Sequence, residues 1–320
     1  MSECPKVEYS EVVAVLKRLD KRDLYGVNGT PPTCDDLRQA LQSIYDVSPT
    51  NQVSVLGIDV YRYSQYPELE QALVPLVLRL VYEEAARDCL SQERYLFQHF
   101  LKTARERVTA RTAGSRLRAQ WVDTGDGGYQ LLDTPLHALL FALNFETDVR
   151  SYNSGHFYPK LRQVVGALSL RYCITTEAAF RFEHNLYGAA IINNSRILSR
   201  DTLNRCLIDQ STFDWFTDRF NGIESLEFST LSNVKMLPDF VDYSPDYLLQ
   251  SNVLIPAEWG DSELPIHLIA TQKIGTFEAK EKRLSIYNLY VQLLLVLSEN
   301  RSKKESTFVV GLGNLNTSGL

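Results

Sequence analysis

A chain of 320 residues has a length prior of about two domains, and 44% hydrophobic residues supply ample material for packed cores. Its 33 basic and 39 acidic residues leave a net charge of −6, which argues against non-specific binding to nucleic acid or to an anionic membrane surface. Cys4, Cys34, Cys89, Cys173 and Cys206 form no CxxC pair and read as reduced thiols. The opening MSECPKVEYSE is no signal peptide, and the longest late apolar run, YNLYVQLLLVL, is too short to span a bilayer. The expectation is a soluble cytoplasmic protein.

In chain order, residues 8–20 place Val12, Val13, Leu16 and Leu19 at helical spacing. After the turn-rich YGVNGTPPT, Thr33 and Asp36 form a capping box that opens a second helix over about 34–46. These two helices read as an appendage, residues 1–49. Val53, Val55 and Ile58 mark a short buried strand over 52–59 that ends on Asp59. A turn, VYRYSQY, leads to Pro67 and a helix over 67–90, with Pro75 inside it. Residues 92–112 continue helical. RLRAQWVDTGDGGYQLLD then gives a hairpin with Asp126 at its tip. TPLHALLFALNFE reads as helix, ALSLRYCITT as strand, YGAAIINNSRILSR as a helix carrying Arg196, RCLIDQSTFDWF as strand then helix, and LEFST as strand. This order predicts a ferredoxin-like α+β domain with a βαββαβ core over residues 50–245. A C-terminal α/β extension, 246–320, is expected to hold a strand at HLIATQKI, a helix over KEKRLSIYNLYVQLLLVLSEN and a last strand at STFVVGLGN.

A carboxylate at the end of a buried strand is costly to desolvate unless a positive group answers it. Asp59 stands where strand passes through turn into helix, a place that suits a metal ion together with a phosphate. TGDGG alone is a plain turn, but with Asp59 it sets two carboxylates on adjacent strands. That is a layout for two divalent cations held across a triphosphate. Oxygen ligands without histidine favour Mg²⁺ or Mn²⁺ over Zn²⁺. The five histidines show no metal spacing.

These motifs resemble those of the class III nucleotide cyclases over roughly residues 50–245. IDVYRYS is similar to that family's first metal motif, Asp-Ile-x-Gly-Phe-Ser/Thr. VDTGDGG is similar to its second, Lys-x-x-Gly-Asp-Gly. YGAAIINNSRI is similar to its Tyr-Gly-x-x-Ile-Asn-x-Ala-x-Arg segment, and VKML, with Lys235, is a faint match to its late Lys-Gly element. The resemblance implies that Asp59, Asp126 and the carbonyl of Val60 hold two Mn²⁺ or Mg²⁺ ions. Backbone N–H groups over Tyr61, Arg62 and Tyr63 would receive the β- and γ-phosphates, and Lys235 the terminal phosphates. Arg196 would stabilise charge developing on the α-phosphate while the 3′-hydroxyl attacks and pyrophosphate leaves. It implies also a homodimer, with the aspartates of one protomer facing the arginine of the other.

The departures from the family pattern point to the base. Where adenylate and guanylate members carry Lys or Glu to read a purine, this chain has Val122; the partner position falls on Asn185. The ribose-ordering Asn falls on Ile192, with Asn193 one position off. A pocket without its charged purine reader argues against ATP and GTP. The chain resembles the pyrimidine cyclases of bacterial Pycsar antiphage systems, whose cyclic UMP or cyclic CMP activates a separate effector. The expectation is a uridylate cyclase acting on UTP. The alternatives are a cytidylate cyclase acting on CTP, a catalytically silent nucleotide-binding module, and a two-metal phosphohydrolase with similar acidic placement.

Overall fold

The computed structural model describes residues 6–25, 34–42, 52–92, 117–182, 185–219, 227–229, 267–279, 282–298 and 305–314. The chain begins with β1 (Lys6–Val7), α1 (Tyr9–Tyr25) and α2 (Cys34–Gln42). There follow β2 (Gln52–Val60), a 3-10 turn over Tyr63–Gln65, α3 (Glu68–Gln92), β3 (Trp121–Asp123) and β4 (Gly127–Leu132). Next come α4 (Pro135–Asn153), α5 (Pro159–Val165), β5 (Leu170–Ala178), β6 (Phe180–Phe182), β7 (Asn185–Tyr187) and α6 (Ala189–Arg200). The chain continues with β8 (Cys206–Asp209), α7 (Gln210–Arg219), β9 (Glu227–Ser229), β10 (His267–Ala279), β11 (Lys282–Ser298) and β12 (Glu305–Leu312). The architecture is α+β, as the order of sequence patterns predicts. Among the described residues no helix is long and apolar enough to cross a membrane.

One nine-stranded sheet runs β3-β4-β2-β5-β8-β11-β10-β9, with β12 paired to β11. β2 lies antiparallel between β4 and β5, and β5 runs parallel to β8. Ser54 through Ile58 are all buried, as expected of a strand covered on both faces. Leu56, Ile58 and Val60 point into the large core beneath α3, α4 and α5, with Leu139, Phe141, Phe145 and Tyr172. Val55 and Gly57 point the other way, toward α6. Thr134 caps α4 by accepting from the His137 N–H, and Pro135 occupies its first turn.

The helix expected over 280–300 is instead β11, seventeen residues long. It is held antiparallel to β8 on one side and to β10 on the other. Leu284, Ile286, Tyr287, Asn288 and Leu289 are all buried, so both faces are covered and the apolar run shows no alternation. Periodicity cannot separate such a strand from a buried helix; pairing with β8, β10 and β12 decides it. Over its described residues the extension is therefore made of strands, and those strands join the same sheet as β2. A second, small sheet, β1-β6-β7, ties the N-terminal strand to the segment before α6. Residues 93–116, which carry most of the helix expected over 92–112, lie outside the described residues, as do Thr33 and Lys235.

Candidate active site

The register of the sheet brings the two aspartates together. Asp59 lies opposite Gly127 on β4 and opposite Arg171 on β5. The Val60 N–H donates to the Asp126 carbonyl at 2.9 Å, fastening the hairpin tip to the end of β2. The tip is built by an Asx turn, with the Gly125 N–H donating to Asp123 Oδ1 at 2.7 Å and Gly125 at φ +92°. Gly127 is needed for close strand approach: a Cβ there would sit 2.1 Å from the Ile58 carbonyl. Both aspartates are partly exposed.

Asp59 is not left alone. Arg171 Nε donates to Asp59 Oδ2 at 2.5 Å, and Arg171 Nη1 donates to the Asp201 carbonyl. Burial pushes the Asp59 carboxyl above its ordinary range; Arg171 pulls it down and the negative charge of Asp126 adds to the rise. Beside them the Tyr129 hydroxyl, on β4, bonds to Ser195 on α6; burial raises its pKa above that of a free phenol. The spacing of Arg171, Cys173, Thr175 and Glu177 puts a cation on the face of β5 shared with Asp59. That alternation was the available signal for Arg171, which motif reasoning passed over.

The turn after β2 divides the expected phosphate donors. The Tyr61 N–H is taken by the Ser169 carbonyl at 2.8 Å, so it cannot serve a phosphate as expected. The N–H groups of Arg62 and Tyr63 donate to nothing among the described residues. Arg62 has left-handed backbone, φ 59° and ψ 33°, ahead of the 3-10 turn, a sequence of conformations that aims successive N–H groups to one side. The Tyr63 hydroxyl has a structural task. Pro75 has no N–H to give to Gln71 four residues back, and Tyr63 donates to that carbonyl at 2.9 Å.

On α6 the sheet-facing residues are Ala190, Asn194, Ile197 and Leu198, all buried. Asn194 Nδ2 donates to the carbonyls of Val55 and Cys173, both at 2.9 Å. At 100° per residue, Arg196 lies about 200° around the helix from Asn194, on the side turned from its own sheet. It makes no ion pair among the described residues. Ile192, one turn earlier, is exposed. Asn193 is buried at 3% exposure with its amide on Glu177 Oε1 at 3.2 Å, so it does not take the outward place of the ribose-ordering residue. Val122 packs, half-buried, with Val55, Leu131, Leu186 and Ala190. Asn185 opens β7 with its backbone opposite Phe182.

No cluster of three or more His, Cys, Asp or Glu occurs among the described residues. Among the described residues of the site, what the chain offers a cation is the pair Asp59 and Asp126. That donor set fits Mg²⁺ or Mn²⁺, which bind through one or two carboxylates and complete their shells with phosphate and water. The raised Asp59 carboxyl fits it also, since a divalent cation restores the charged form that burial disfavours.

Sheet and site thus define an α+β domain with paired carboxylates at one end of its central strands. No family model matches the chain, and no curated protein matches it. Among solved structures it is similar to a dimeric guanylyl cyclase domain of the RhoGC fusion protein from the aquatic fungus Blastocladiella emersonii. That likeness has 14% identity, covers 75% of this chain and 96% of that one, and has a TM-score of 0.39. It is similar to an adenylate/guanylate cyclase/hydrolase from Silicibacter pomeroyi at 13% identity, over 74% and 95% of the two chains, with a TM-score of 0.36. It is similar also to the adenylyl cyclase CyaB from P. aeruginosa at 12% identity, over 78% and 95%, with a TM-score of 0.34.

Proposed function

We propose that this chain is a nucleotide cyclase that converts UTP to 3′,5′-cyclic UMP and pyrophosphate, working as a homodimer. The observation that carries the reading is the hydrogen bond from Val60 N–H to the Asp126 carbonyl, which sets Asp126 beside Asp59. Two divalent ions, when bound there, supply polarisation of the attacking hydroxyl and charge balance for the leaving pyrophosphate. Asp59 and Asp126 are the residues that would hold them. Arg171 keeps the Asp59 carboxylate turned toward the site and adds a positive charge beside the phosphates. Arg62 and Tyr63 offer backbone N–H groups to the phosphate oxygens, and the outward Arg196 completes the site of a second copy by meeting charge on its α-phosphate. Lys235, which the sequence resemblance assigns to the terminal phosphates, belongs to the same proposal.

The choice of a pyrimidine rests on Val122, which sits in an apolar cluster and offers no charged group to a purine edge. Asn185 supplies the neutral amide that would pair with uracil. A role for the product in bacterial antiphage defence, through a cyclic-nucleotide-sensing effector, is supported by the sequence resemblance.

The test is incubation of the full chain with each of the four ribonucleoside triphosphates and Mn²⁺, products resolved by mass. Cyclic UMP with pyrophosphate is expected to dominate. A dominant cyclic CMP peak overturns the choice of uracil, cyclic AMP or GMP overturns the pyrimidine reading, and linear products overturn cyclisation.

A further inference from the structure

The turn between α6 and β8, residues 201–205, reaches the end of β2 by two routes, through Arg171 of β5 and through Tyr61 just past β2. The Asp201 carbonyl receives Arg171 Nη1, the same side chain that grips Asp59. The Thr202 carbonyl receives the Tyr61 hydroxyl at 3.0 Å. Whatever holds this turn therefore holds both Asp59, through Arg171, and Tyr61, the first residue after β2.

Inside the protein the turn is fixed by charge. Arg205 is wholly buried and gives Nε and Nη2 to Asp201 Oδ1 at 3.0 and 2.7 Å. The Leu203 N–H donates to the same oxygen at 3.1 Å. Outside, the turn is exposed at Thr202 and Asn204. The fastening there comes from 110 residues away. Asn314, just beyond β12, donates Nδ2 to the carbonyl of Asn204 at 2.9 Å and to its Oδ1 at 3.0 Å. Asn314 is itself tied down, its carbonyl receiving Nδ2 of the buried Asn288 of β11 at 2.7 Å. The preceding Gly313 lets the chain come this close: it has φ +75°, and a Cβ would lie 2.9 Å from the Cys206 nitrogen and from the Leu289 carbonyl.

We propose that Asn314 is a positioning residue for the carboxylate site, acting through the 201–205 turn on Arg171 and Tyr61 and so on Asp59. It rests on Asp59 belonging to the site described above. It gives the C-terminal strands a task in the chemistry: β12 ends in a strap that keeps the helix bearing Arg196 and the strand bearing Asp59 in fixed register. An enzyme of this kind loses rate steeply when a reacting group shifts by about an ångström, so a cross-link this far from the site is worth having.

The test uses the full chain with Asn314→Ala and the isosteric Asn314→Asp, which removes the donor and sets an acceptor against Asn204. Amide hydrogen exchange is followed over residues 59–63, 201–206 and 283–291, beside thermal melting and Mn²⁺-dependent turnover of each nucleoside triphosphate. Both variants are expected to speed exchange about tenfold over 201–206 and 59–63 while leaving 283–291 and the melting point unchanged. In the proposed reaction kcat falls roughly tenfold with KM held within about twofold. Faster exchange confined to 201–206, or spread equally over all three segments, overturns the proposal. If the wild-type chain cyclises no nucleotide the functional reading fails, and the exchange pattern still decides whether Asn314 reaches Asp59.

Discussion

Beneath the sheet, Leu56, Ile58, Val60, Leu132, Tyr172 and Ile174 merge with α3, α4 and α5 into one large apolar cluster. The polar groups there are few, and Gln130 is fully engaged, by the Tyr82 hydroxyl at 2.7 Å and by the carbonyls of Leu117 and Leu131. Above the sheet, α6 covers two small clusters. Asp59, Arg171, Thr175, Glu177, Asn193 and Asn194 lie on that side, and hydrogen bonds between them and the helix take the place of continuous apolar packing. The lower face accounts for most of the burial that stabilises the domain. The upper face keeps partly exposed charges at the strand ends, where a charged ligand can reach them.

The sharpest way to break this contrast is to strip the upper face. Asp59→Ala and Arg196→Ala should each lower turnover roughly a thousandfold without unfolding the chain, since the first removes a carboxylate proposed to hold the divalent cation, the second a cation proposed to meet the transferred phosphate, and neither takes anything from the lower core. Mixed in equal amounts, the two variants should regain about a quarter of the wild-type rate, because half the dimers are then mixed and each has one intact site. No recovery after proven subunit exchange would mean that Arg196 serves its own chain.

Stability should answer instead to the lower face, through Asp148. This residue of α4 is 8% exposed, and its Oδ2 has no partner among the described residues. Burial pushes its carboxyl up to about 8, with the neighbouring Asp88 adding to the rise and Arg87 opposing it. The folded state therefore binds a proton that the unfolded chain releases near pH 4. The resulting stability is complete below that pH and is lost as pH rises toward 8, by an amount on the order of a few kcal/mol. Asp148→Asn should flatten that part of the pH–stability curve and make the variant the more stable protein at pH 8. Urea titrations at pH 5 and pH 8 measure it; parallel losses in the two proteins would refute the buried-proton account.

Gly57 joins the two faces in one residue. A Cβ there would lie 1.9 Å from Asn194 Oδ1 and 2.7 Å from Leu198 Cδ1, so Gly57→Ala must lift α6 from the sheet. On the other face, a Cβ at Gly128 would meet the Trp121 ring at 2.2 Å. Each substitution should cost about 1–3 kcal/mol. At matched stability loss, Gly57→Ala should depress turnover well beyond Gly128→Ala, since only the first moves the helix that carries Arg196. Equal turnover in the two variants would break the division of labour between the faces.

Much of the lower face, and the helix that covers the upper one, could be read from sequence. The strands β2, β5 and β8 and the helices α3, α4 and α6 follow from period and capping, because each presents a local pattern that burial enforces. The paired motifs around Asp59 and Asp126 were legible for a similar reason: strand-turn-helix and a Gly-rich hairpin are short-range signals. β11 was misread because a strand covered on both faces loses its alternation. β6, β7 and α5 went unseen, being too short to show a period.

The sequence by itself determined which residue types are present for chemistry: a carboxylate near a strand end, another in a Gly-rich hairpin, an arginine on a helix, and an uncharged valine at position 122. Tertiary structure alone decided how they are used. The register of β2 against β4 and β5 set Gly127 and Arg171 on either side of Asp59. The rotation of α6 sent Arg196 outward and Asn193 inward, and a turn 110 residues from Asn314 became that residue's hydrogen-bond partner. The physical reason is that spacing along the chain fixes a side chain's direction within its own strand or helix. Which neighbour it then meets depends on strand order and helix rotation, and these are set by the burial of the whole core at once.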